Sequence, residues 1–294
     1  MRVVVAGSSG LIGTALVAKL RHEGDEVLRL VRREPQAPDE RQWDPPAGAV
    51  EEGTFDGVDA VVNLCGAGVA DRRWSQARKQ VLLDSRVEPT EVIAAAVAES
   101  GVPVLVNGSA VGYYGTIPAG PADEAEPAGR GFLAELCVRW EAATETARRA
   151  GARVVLARTA QVIAPSGGLL GPLRPLFALG LGGKLGDGSQ YMPWIHLDDE
   201  VDALAFLVRQ DIAGPVNLAG PTPATNAEFT RAFGRAKHRP APFRVPKAAL
   251  RVALGDFADE ILRSQHLVPK VLQDNGFPFR FETIDDAITA VEQR

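Results

Sequence analysis

The sequence predicts an α/β fold, a doubly wound parallel sheet with a small, mainly helical lobe toward the C-terminus. Over the first 160 residues, short apolar runs alternate with helical patterns, which is typical of strands joined by crossover helices. Glycine and proline then cluster through residues 165–193, and helix starts follow without long apolar strands between them. These observations favour one parallel sheet covered on both faces, followed by a smaller lobe.

Five strands are predicted from the apolar runs, near residues 2–6, 26–31, 59–64, 103–108 and 153–158. Helices are predicted between them from residue 11 to Gly24, over roughly 75–100 and over about 131–150. Prolines interrupt the pattern over residues 32–57, although residues 41–43 fit a short third strand.

In the second lobe, three helix starts are predicted from capping residues. Asp198 or Asp199 is expected to cap a helix that runs to about Arg209. Thr225 has capping-box spacing to Glu228, and Pro246 suits the first turn of a third helix.

Composition excludes several classes of protein. Lys and Arg number 32 against 37 Asp and Glu, a net charge of −5 without a dense basic run, so we expect no nucleic-acid or membrane partner. Two cysteines, without Cys/His spacing, predict neither a disulfide framework nor a metal site. The chain enters a strand at once and has no uninterrupted apolar span. We therefore expect a cytoplasmic protein, monomeric or homodimeric, that acts on a small-molecule substrate.

A glycine motif, Gly7-Ser8-Ser9-Gly10-Leu11-Ile12-Gly13, follows the first strand and opens a helix. Its first glycine permits the tight turn, its second lets the backbone approach a pyrophosphate, and its third lets the helix pack closely on the strand. The helix N-terminus offers N–H groups and a positive dipole end to the phosphates. The alternative is a flexible turn, but this position favours dinucleotide binding in a Rossmann-type fold.

The end of the second strand indicates which dinucleotide is bound. An enzyme that uses NAD places Asp or Glu there to hold the ribose 2′-hydroxyl, whereas this strand ends in Arg32 and Arg33. Guanidinium groups pair bidentately with a 2′-phosphate, so NADP(H) is favoured over NAD(H). The alternative is a solvated pair of surface arginines.

Further motifs accompany the glycine loop at 7–13. They lie at 63–66, 109–115 and 194–199. With these four motifs, the chain resembles the extended short-chain dehydrogenase/reductases, which include nucleotide-sugar epimerases and dehydratases. A second set is Arg73-Trp74, Ser85-Arg86-Val87, Trp140-Glu141, Gly167-Gly168, Phe229 and the tail over 246–281. With these, the chain more closely resembles the atypical epimerase-family branch, which carries its own short C-terminal extension.

The resemblance implies a division of the chain and a set of cofactor contacts. Residues 1–165 would form the NADP(H)-binding unit, with sheet elements returning at about 190–220, and 166–294 the substrate-side lobe, with an extension at about 246–294. The loop residues Ser9, Leu11 and Ile12 would wrap the pyrophosphate and Arg32 would hold the 2′-phosphate. The remaining contacts implied are Leu64, Cys65 and Gly66 beside the adenosine, and Ser109 and Thr159 at strand ends.

Two of these assignments have a plain structural alternative. Ser109 and Thr159 are residue types that also form turns. Arg86, on the long helix, is a candidate for a further anion contact or a residue of a solvated helix face.

One family feature is missing from this sequence. Typical members carry a Tyr-x-x-x-Lys pair for proton transfer, and matching Glu141 to the family's glutamate puts Leu133 and Cys137 at those positions. Three hypotheses remain open. In the first, Tyr113 or Tyr114, near Ser109 and aided by Glu135, supplies the proton. In the second, hydride transfer needs no proton donor from the protein. In the third, the protein is a non-catalytic NADP(H) sensor or scaffold. A packing role for the tyrosines is the alternative to the first.

Three residues of the second lobe are candidate substrate contacts. Lys184 and Gln190 lie in a glycine-rich loop, and His196 precedes acidic helix-start residues. A histidine in this position is more often tied to a neighbouring carboxylate and orders its loop, and the resemblance also implies a structural role for His196. The sequence therefore predicts an NADP(H)-dependent oxidoreductase or epimerase-like protein, whose substrate class, including nucleotide sugars, rests on resemblance alone.

Overall fold

The computed structural model describes residues 1–117 and 120–293. Its strands, in chain order, are β1 (Arg2–Ala6), β2 (Glu26–Val31), β3 (Glu40–Asp44), β4 (Ala49–Val50), β5 (Ala60–Asn63), β6 (Val104–Ala110), β7 (Arg153–Thr159), β8 (Gln161–Ile163), β9 (Gly183–Leu185), β10 (Trp194–His196), β11 (Gly214–Leu218) and β12 (Phe243–Val245).

The α-helices of the described residues are α1 (Leu11–His22), α2 (Gln76–Ser100), α3 (Phe132–Ala142), α4 (Glu145–Arg149), α5 (Arg174–Ala178), α6 (Leu197–Arg209), α7 (Asn226–Ala236), α8 (Lys247–Leu254), α9 (Phe257–Ile261), α10 (Lys270–Asp274) and α11 (Ile284–Glu292). Two short 3₁₀ turns cover Pro45–Ala47 and Val111–Tyr114. No helix among the described residues has both the length and the apolar character needed to cross a membrane.

Eight strands form the main sheet in the order β11-β7-β6-β5-β1-β2-β3-β4, and every neighbouring pair is parallel except β3 with β4. Alternate residues of β1 face opposite sides: Val3 and Val5 pack toward α1 and α6, whereas Val4 and Ala6 pack toward α2. The doubly wound parallel sheet predicted from the sequence is confirmed. Burial on both sides explains why its strands are apolar runs without alternation.

The chain reverses direction across the sheet at β1. It first builds β2 and β3 on one side and then β5, β6, β7 and β11 on the other. In open α/β sheets, the crevice at such a switch point, outside the carboxyl ends of the strands, is where ligands bind. The fold therefore directs attention to the residues that follow β1, β2, β5, β6 and β7.

Several local predictions need correction. The predicted helix over 131–150 is two helices, α3 and α4, and residues 41–43 belong to the longer strand β3. The cap of α6 is His196, whose Nδ1 accepts a hydrogen bond from the backbone N–H of Asp198, so Asp198 and Asp199 lie inside the helix. The capping box of Thr225 and Glu228 is confirmed at the start of α7.

The second lobe packs around α7 and α11, whose buried faces share Phe233 and Ile288. Two small parallel pairs, β8 with β10 and β9 with β12, connect it to the main sheet and to the extension. The last residue of the predicted extension, Arg294, lies outside the described residues.

The C-terminal extension is tied to the turn that follows β6. The side-chain amide of Gln265 donates 2.8 Å hydrogen bonds to the carbonyls of Val111 and Gly115. The backbone N–H of Ile117 donates to the carbonyl of Ser264 at 2.9 Å. The turn at the sheet edge is thus held from the far end of the chain.

Candidate functional site

The glycine loop adopts the close packing that its sequence predicts. Gly7 has a φ of +77°, and a methyl group on it would lie 2.6 Å from the carbonyl oxygen of Leu64. A methyl group on Gly13 would overlap the carbonyl oxygen of Gly7. The helix α1 begins after Gly10 without a side-chain cap, so its first N–H groups are available to a ligand.

Exposure within the loop differs from residue to residue. Ser8 is buried, Leu11 and Ile12 are half-buried, and Ser9 and Gly10 are exposed. An anion seated on the start of α1 would therefore meet Ser9 and Gly10 first.

The two arginines after β2 have different surroundings. Arg33 donates two hydrogen bonds, of 2.7 and 2.6 Å, to the carboxylate of Glu40. These bonds, with one from the backbone of Gln36, lower the pKa of Glu40 to about 2. Arg32 is exposed and makes no ion pair within the described residues, so it is the guanidinium that a 2′-phosphate can reach. Of the two predicted phosphate-binding arginines, only Arg32 remains available, because Glu40 neutralises Arg33.

Arg32 and the loop after β5 face the same space. The positive charge of Arg32 acts on the Cys65 thiol, whose pKa is nevertheless raised to about 12 because burial dominates. Leu64 and Cys65 are half-buried and Gly66 is exposed. The residues that the resemblance assigns to the adenosine side therefore lie between Arg32 and the glycine loop.

A buried network of polar side chains holds the loop after β5 in place. Asn63 donates to Thr90 at 2.9 Å and to Asn107 at 2.7 Å, and accepts from the backbone N–H of Cys65 at 3.1 Å. Trp140 donates its indole N–H to Thr90 at 3.1 Å. Sequence reasoning did not find this network, because its members are far apart in the chain.

Arg86 lies against the same loop. Its guanidinium donates to the carbonyls of Leu82 and Ala67 at 3.0 Å, and its carbon lies 2.9 Å from where a methyl group on Gly66 would be. Within the described residues it has no carboxylate partner, and burial lowers its pKa. A cation near the crevice without an anion fits the predicted anion contact better than a solvated helix face.

Ser109 belongs to a second buried network, at the ends of β6, β7 and β11. Its hydroxyl donates to Glu141 at 2.6 Å, and Arg158 forms a bidentate pair with the same carboxylate. Arg158 also donates to the Tyr114 hydroxyl at 2.9 Å, which donates in turn to Asn217 at 2.7 Å. This arrangement favours a supporting role for Ser109.

The structure separates the three residues proposed as a proton-transfer group. Tyr114 is 2% exposed, its hydroxyl is bonded on both sides, and burial raises its pKa to about 12. Tyr113 is half-buried with its ring 3.5 Å from the Arg158 guanidinium carbon. Glu135 is exposed on α3, and the carboxylate that pairs with Ser109 is Glu141. The packing alternative therefore fits Tyr114, and the predicted help from Glu135 is corrected to Glu141.

The family's Tyr and Lys positions are filled by apolar packing. A methyl group on Gly112 would lie 3.1 Å from Leu133, and the Cys137 thiol contacts the carbonyl of Ala110 at 3.6 Å. Both pack in a cluster with Trp74 and Trp140. Burial raises the pKa of Cys137 to about 12, so no ionisable group replaces the pair at these positions.

Thr159 ends β7 and meets a residue that sequence reasoning missed. Its hydroxyl donates 2.8 Å to Glu200 Oε1, and Glu200 is completely buried. Burial raises the pKa of this carboxyl to about 8, and the Thr159 hydrogen bond opposes the rise. The sequence holds a signal for it: Glu200 shares a helix face with Leu204 and Leu207, both fully buried.

The predicted substrate contacts of the second lobe are spread out. His196 is fully buried and its ring stacks 3.9 Å from that of Phe281, so its surroundings favour loop ordering. Gln190 donates to the carbonyl of Leu185 at 3.1 Å and braces its own loop. Lys184 is half-buried on β9. Within residues 1–117 and 120–293, no group of three or more His, Cys, Asp or Glu side chains is placed to hold a metal ion.

Comparison with known proteins identifies two sequence families along the chain. Residues 3–219 match the NAD dependent epimerase/dehydratase family, and residues 245–291 match a domain of unknown function, DUF1731. An epimerase family protein from Mycobacterium tuberculosis is 55% identical over 97% of this chain and 96% of its own length.

Two solved structures extend this similarity. The human epimerase family protein SDR39U1, crystallised with NADPH, superposes with a TM-score of 0.91 at 31% identity, over 100% of this chain and 99% of its own. A nucleoside-diphosphate sugar epimerase from Corynebacterium glutamicum gives 0.81 at 36% identity, over 99% of this chain and 58% of its own. Because the matched segment exceeds half of the sequence and these relatives span nearly all of it, the chain belongs to the NAD dependent epimerase/dehydratase family.

Proposed function

We propose that this protein is an NADP(H)-dependent oxidoreductase or epimerase-like enzyme that acts on a small molecule. The observation that carries the proposal is Arg32, an exposed guanidinium beside a pyrophosphate-type glycine loop, whose neighbour Arg33 is neutralised by Glu40. A related human protein of the same fold was crystallised with NADPH, which supports the choice of cofactor.

The described residues fit such a cofactor. The N–H groups at the start of α1 would hold the pyrophosphate, Arg32 the 2′-phosphate, and the loop from Leu64 to Gly66 the adenosine. A dinucleotide lies across the switch point, so its nicotinamide half would lie over β6 and β7, near Ser109 and Thr159. There the cofactor would supply or accept a hydride, while these residues hold its ring.

The substrate would enter between the carboxyl edge of the sheet and the second lobe. Tyr113 and Lys184 are both half-buried, and they are the side chains that we expect a substrate to contact. A nucleotide sugar is the first class to test, because a related structure bears the name of a nucleoside-diphosphate sugar epimerase. The free thiols of Cys65 and Cys137 support a reducing, cytoplasmic setting.

A second candidate function is a non-catalytic NADP(H) sensor. The apolar packing of Leu133 and Cys137, where relatives carry the proton-transfer pair, favours it. The two functions differ in one observable: an enzyme exchanges a hydride between its nicotinamide and a substrate, whereas a sensor binds both redox forms without exchange.

Calorimetric titration with NADPH, NADP⁺, NADH and NAD⁺ tests the cofactor assignment. We expect the phosphorylated forms to bind at least 10-fold more tightly, about 1.4 kcal/mol. The NADPH-loaded protein is then mixed with nucleotide sugars and simple carbonyl compounds while absorbance of the reduced nicotinamide is followed. Oxidation of NADPH by one class identifies a reductase. An epimerase leaves no net change in the nicotinamide, so the NADP⁺-loaded protein is also mixed with the nucleotide sugars and the formation of epimers is followed by NMR. Binding of cofactor with neither reaction favours the sensor. Equal binding of NADH and NADPH would remove the proposal.

A further inference from the structure

Glu200 is a buried acid, and only one of its two carboxyl oxygens accepts a hydrogen bond within the described residues. Its Oε1 accepts the Thr159 hydroxyl at 2.8 Å, and its Oε2 has no hydrogen-bond partner within the described residues. The side chain is 0% exposed. A carboxylate buried in this way is strongly disfavoured unless a cation or several donors surround it.

The charged groups on the elements that pack against α6 are engaged elsewhere. On α1, Lys19 pairs with Asp202, which lies two residues after Glu200 and therefore on a different face of α6. The last residues of α1, including His22, lie beside the end of α6, where Arg209 pairs with Glu23. Strands β6 and β8 carry no charged side chain. The cations of α1 therefore do not neutralise Glu200.

The charged side chains of β7 and β10, which also pack against α6, are likewise engaged with other groups. On β7, Arg158 pairs with Glu141, and Arg153 donates to the carbonyls of Leu207, Val208 and Ile212. On β10, His196 accepts from the backbone of Asp198. Burial is the first cause that raises the pKa of Glu200, to about 8, so the carboxyl is neutral at pH 7.

Thr159 connects this acid to the crevice. It is the last residue of β7, half-buried, at the carboxyl edge of the sheet. Adenosine lies toward Arg32 on the β2 side in the proposed function, so the nicotinamide lies toward Thr159 on the other side. A hydroxyl hydrogen rotates freely, so Thr159 can donate either to Glu200 or into the crevice.

We propose that Thr159 and Glu200 form a proton-exchanging pair beneath the nicotinamide, neutral beside NADPH and ionised beside NADP⁺. This inference rests on the proposed function, because it requires the dinucleotide to bind in that crevice. The oxidised ring carries a positive charge that the reduced ring lacks, and a nearby positive charge stabilises a carboxylate. The pair would thus supply the acid that Leu133 and Cys137 do not.

The proton balance is complete for reduction of a carbonyl substrate. NADPH would supply the hydride for the new C–H bond and become NADP⁺, while the carbonyl oxygen would take the proton of the Thr159 hydroxyl as the C=O π bond breaks. Glu200 restores that proton to Thr159 and remains as a carboxylate. When the oxidised cofactor leaves, the carboxylate takes a proton from solvent.

Proton release on cofactor binding tests the pair without any substrate. NADP⁺ and NADPH are each titrated into the protein at pH 7 in two buffers of different ionisation enthalpy. The 2′-phosphate changes its protonation equally in both titrations, so it cancels in the difference. We expect NADP⁺ to release most of one proton more than NADPH does.

Two variants test whether Glu200 is the group that releases the proton when NADP⁺ binds. Glu200→Gln keeps the shape of the side chain and should abolish the difference while both cofactors still bind. Glu124→Gln is the control, because Glu124 is a half-buried acid that also has a raised pKa, and its carboxylate accepts hydrogen bonds from the backbone of Asn217 and Val271. That variant should retain the full difference.

Infrared difference spectra of the unmodified protein give an independent measurement, should Glu200→Gln fail to fold. The band of a protonated carboxyl should disappear with NADP⁺ and remain with NADPH. Cofactor binding without a proton difference, or a difference that survives in Glu200→Gln, would overturn the inference alone. Absence of binding by both cofactors would overturn the proposed function instead.

Discussion

Arg158 and Glu141 form a bidentate ion pair inside the protein, with Nε to Oε1 at 2.8 Å and Nη2 to Oε2 at 2.9 Å. Their side chains are 4% and 10% exposed. Glu141 lies on α3 and Arg158 on β7, so the pair joins the helix that carries Leu133 and Cys137 to the strand that ends at Thr159. It is the central connection of the candidate site.

Replacing Glu141 with Leu should strongly destabilise the protein, because it leaves the Arg158 guanidinium buried without a counter-charge. We expect the free energy of unfolding to fall by about 3–5 kcal/mol, measured by urea denaturation. Glu145→Leu is the control, since Glu145 makes comparable contacts to Arg148 on the surface, where solvent screens the pair, and its loss should cost far less. Equal losses would contradict the internal role of the Arg158 pair.

Arg32→Ala should weaken NADPH binding about 10- to 100-fold, through loss of a charged hydrogen-bond donor to the 2′-phosphate. Binding of NADH, which lacks that phosphate, should be unchanged. Arg33→Ala is the matched control: its guanidinium is held by Glu40, so the preference for NADPH should persist. The prediction fails where the Arg33 variant loses that preference and the Arg32 variant keeps it. Calorimetry measures all four affinities.

Gly13→Ala should distort the glycine loop, because the added methyl group overlaps the carbonyl oxygen of Gly7. We expect a loss of about 1–3 kcal/mol in stability, with NADPH affinity reduced as well. Gly10→Ala is the control for stability without cofactor, since its methyl group would meet no protein atom closer than 3.4 Å. Thermal unfolding with and without NADPH separates the two effects. If Gly13→Ala changed neither stability nor NADPH affinity, the close approach of Gly13 to Gly7 would be absent in solution.

The stability of the protein should fall as pH rises from about 5 to 8, and Glu200 should account for part of the fall. In the unfolded chain this carboxyl loses its proton near its ordinary pKa of 4.5, whereas in the folded protein it keeps the proton to about 8. Unfolding therefore releases a proton in this window. The stabilisation is complete below the lower value and is lost as pH rises through the higher one.

Comparison with Glu200→Gln isolates that contribution. Other acids with a raised pKa, such as Glu124 and Asp199, act equally in both proteins and cancel. The difference in the free energy of unfolding should change by up to about 1.4 kcal/mol per pH unit. A pH-independent difference would show that Glu200 is ionised in the folded protein.

Gln265→Leu should loosen the turn after β6, because the carbonyls of Val111 and Gly115 lose their buried donor. We expect a cost of about 1–3 kcal/mol and faster amide exchange in the turn, followed by mass spectrometry. Gln80→Leu is the control, since Gln80 is exposed and bonds only Asp84. Unchanged exchange around Val111 would mean that the extension does not support the site.

Local patterns were sufficient for much of the fold. Strand β1, the glycine loop and helix α2 lie where they were predicted, because apolar runs, glycine spacing and helical periodicity are properties of residues close together in the chain. Two helix boundaries differ from the prediction. The predicted helix over 131–150 divides in two, and α6 is capped by His196.

For the candidate site too, some features follow from the sequence and others depend on the tertiary structure. The sequence by itself determined the sheet, the pyrophosphate loop and the presence of arginines after β2, since each depends on residue type and spacing along the chain. Only the tertiary structure decided that Glu40 neutralises Arg33, that Glu141 instead of Glu135 bonds Ser109, and that Glu200 is buried under Thr159. These pairings join residues on different elements, so burial and charge are set by the packing of the elements and not by the chain's local pattern.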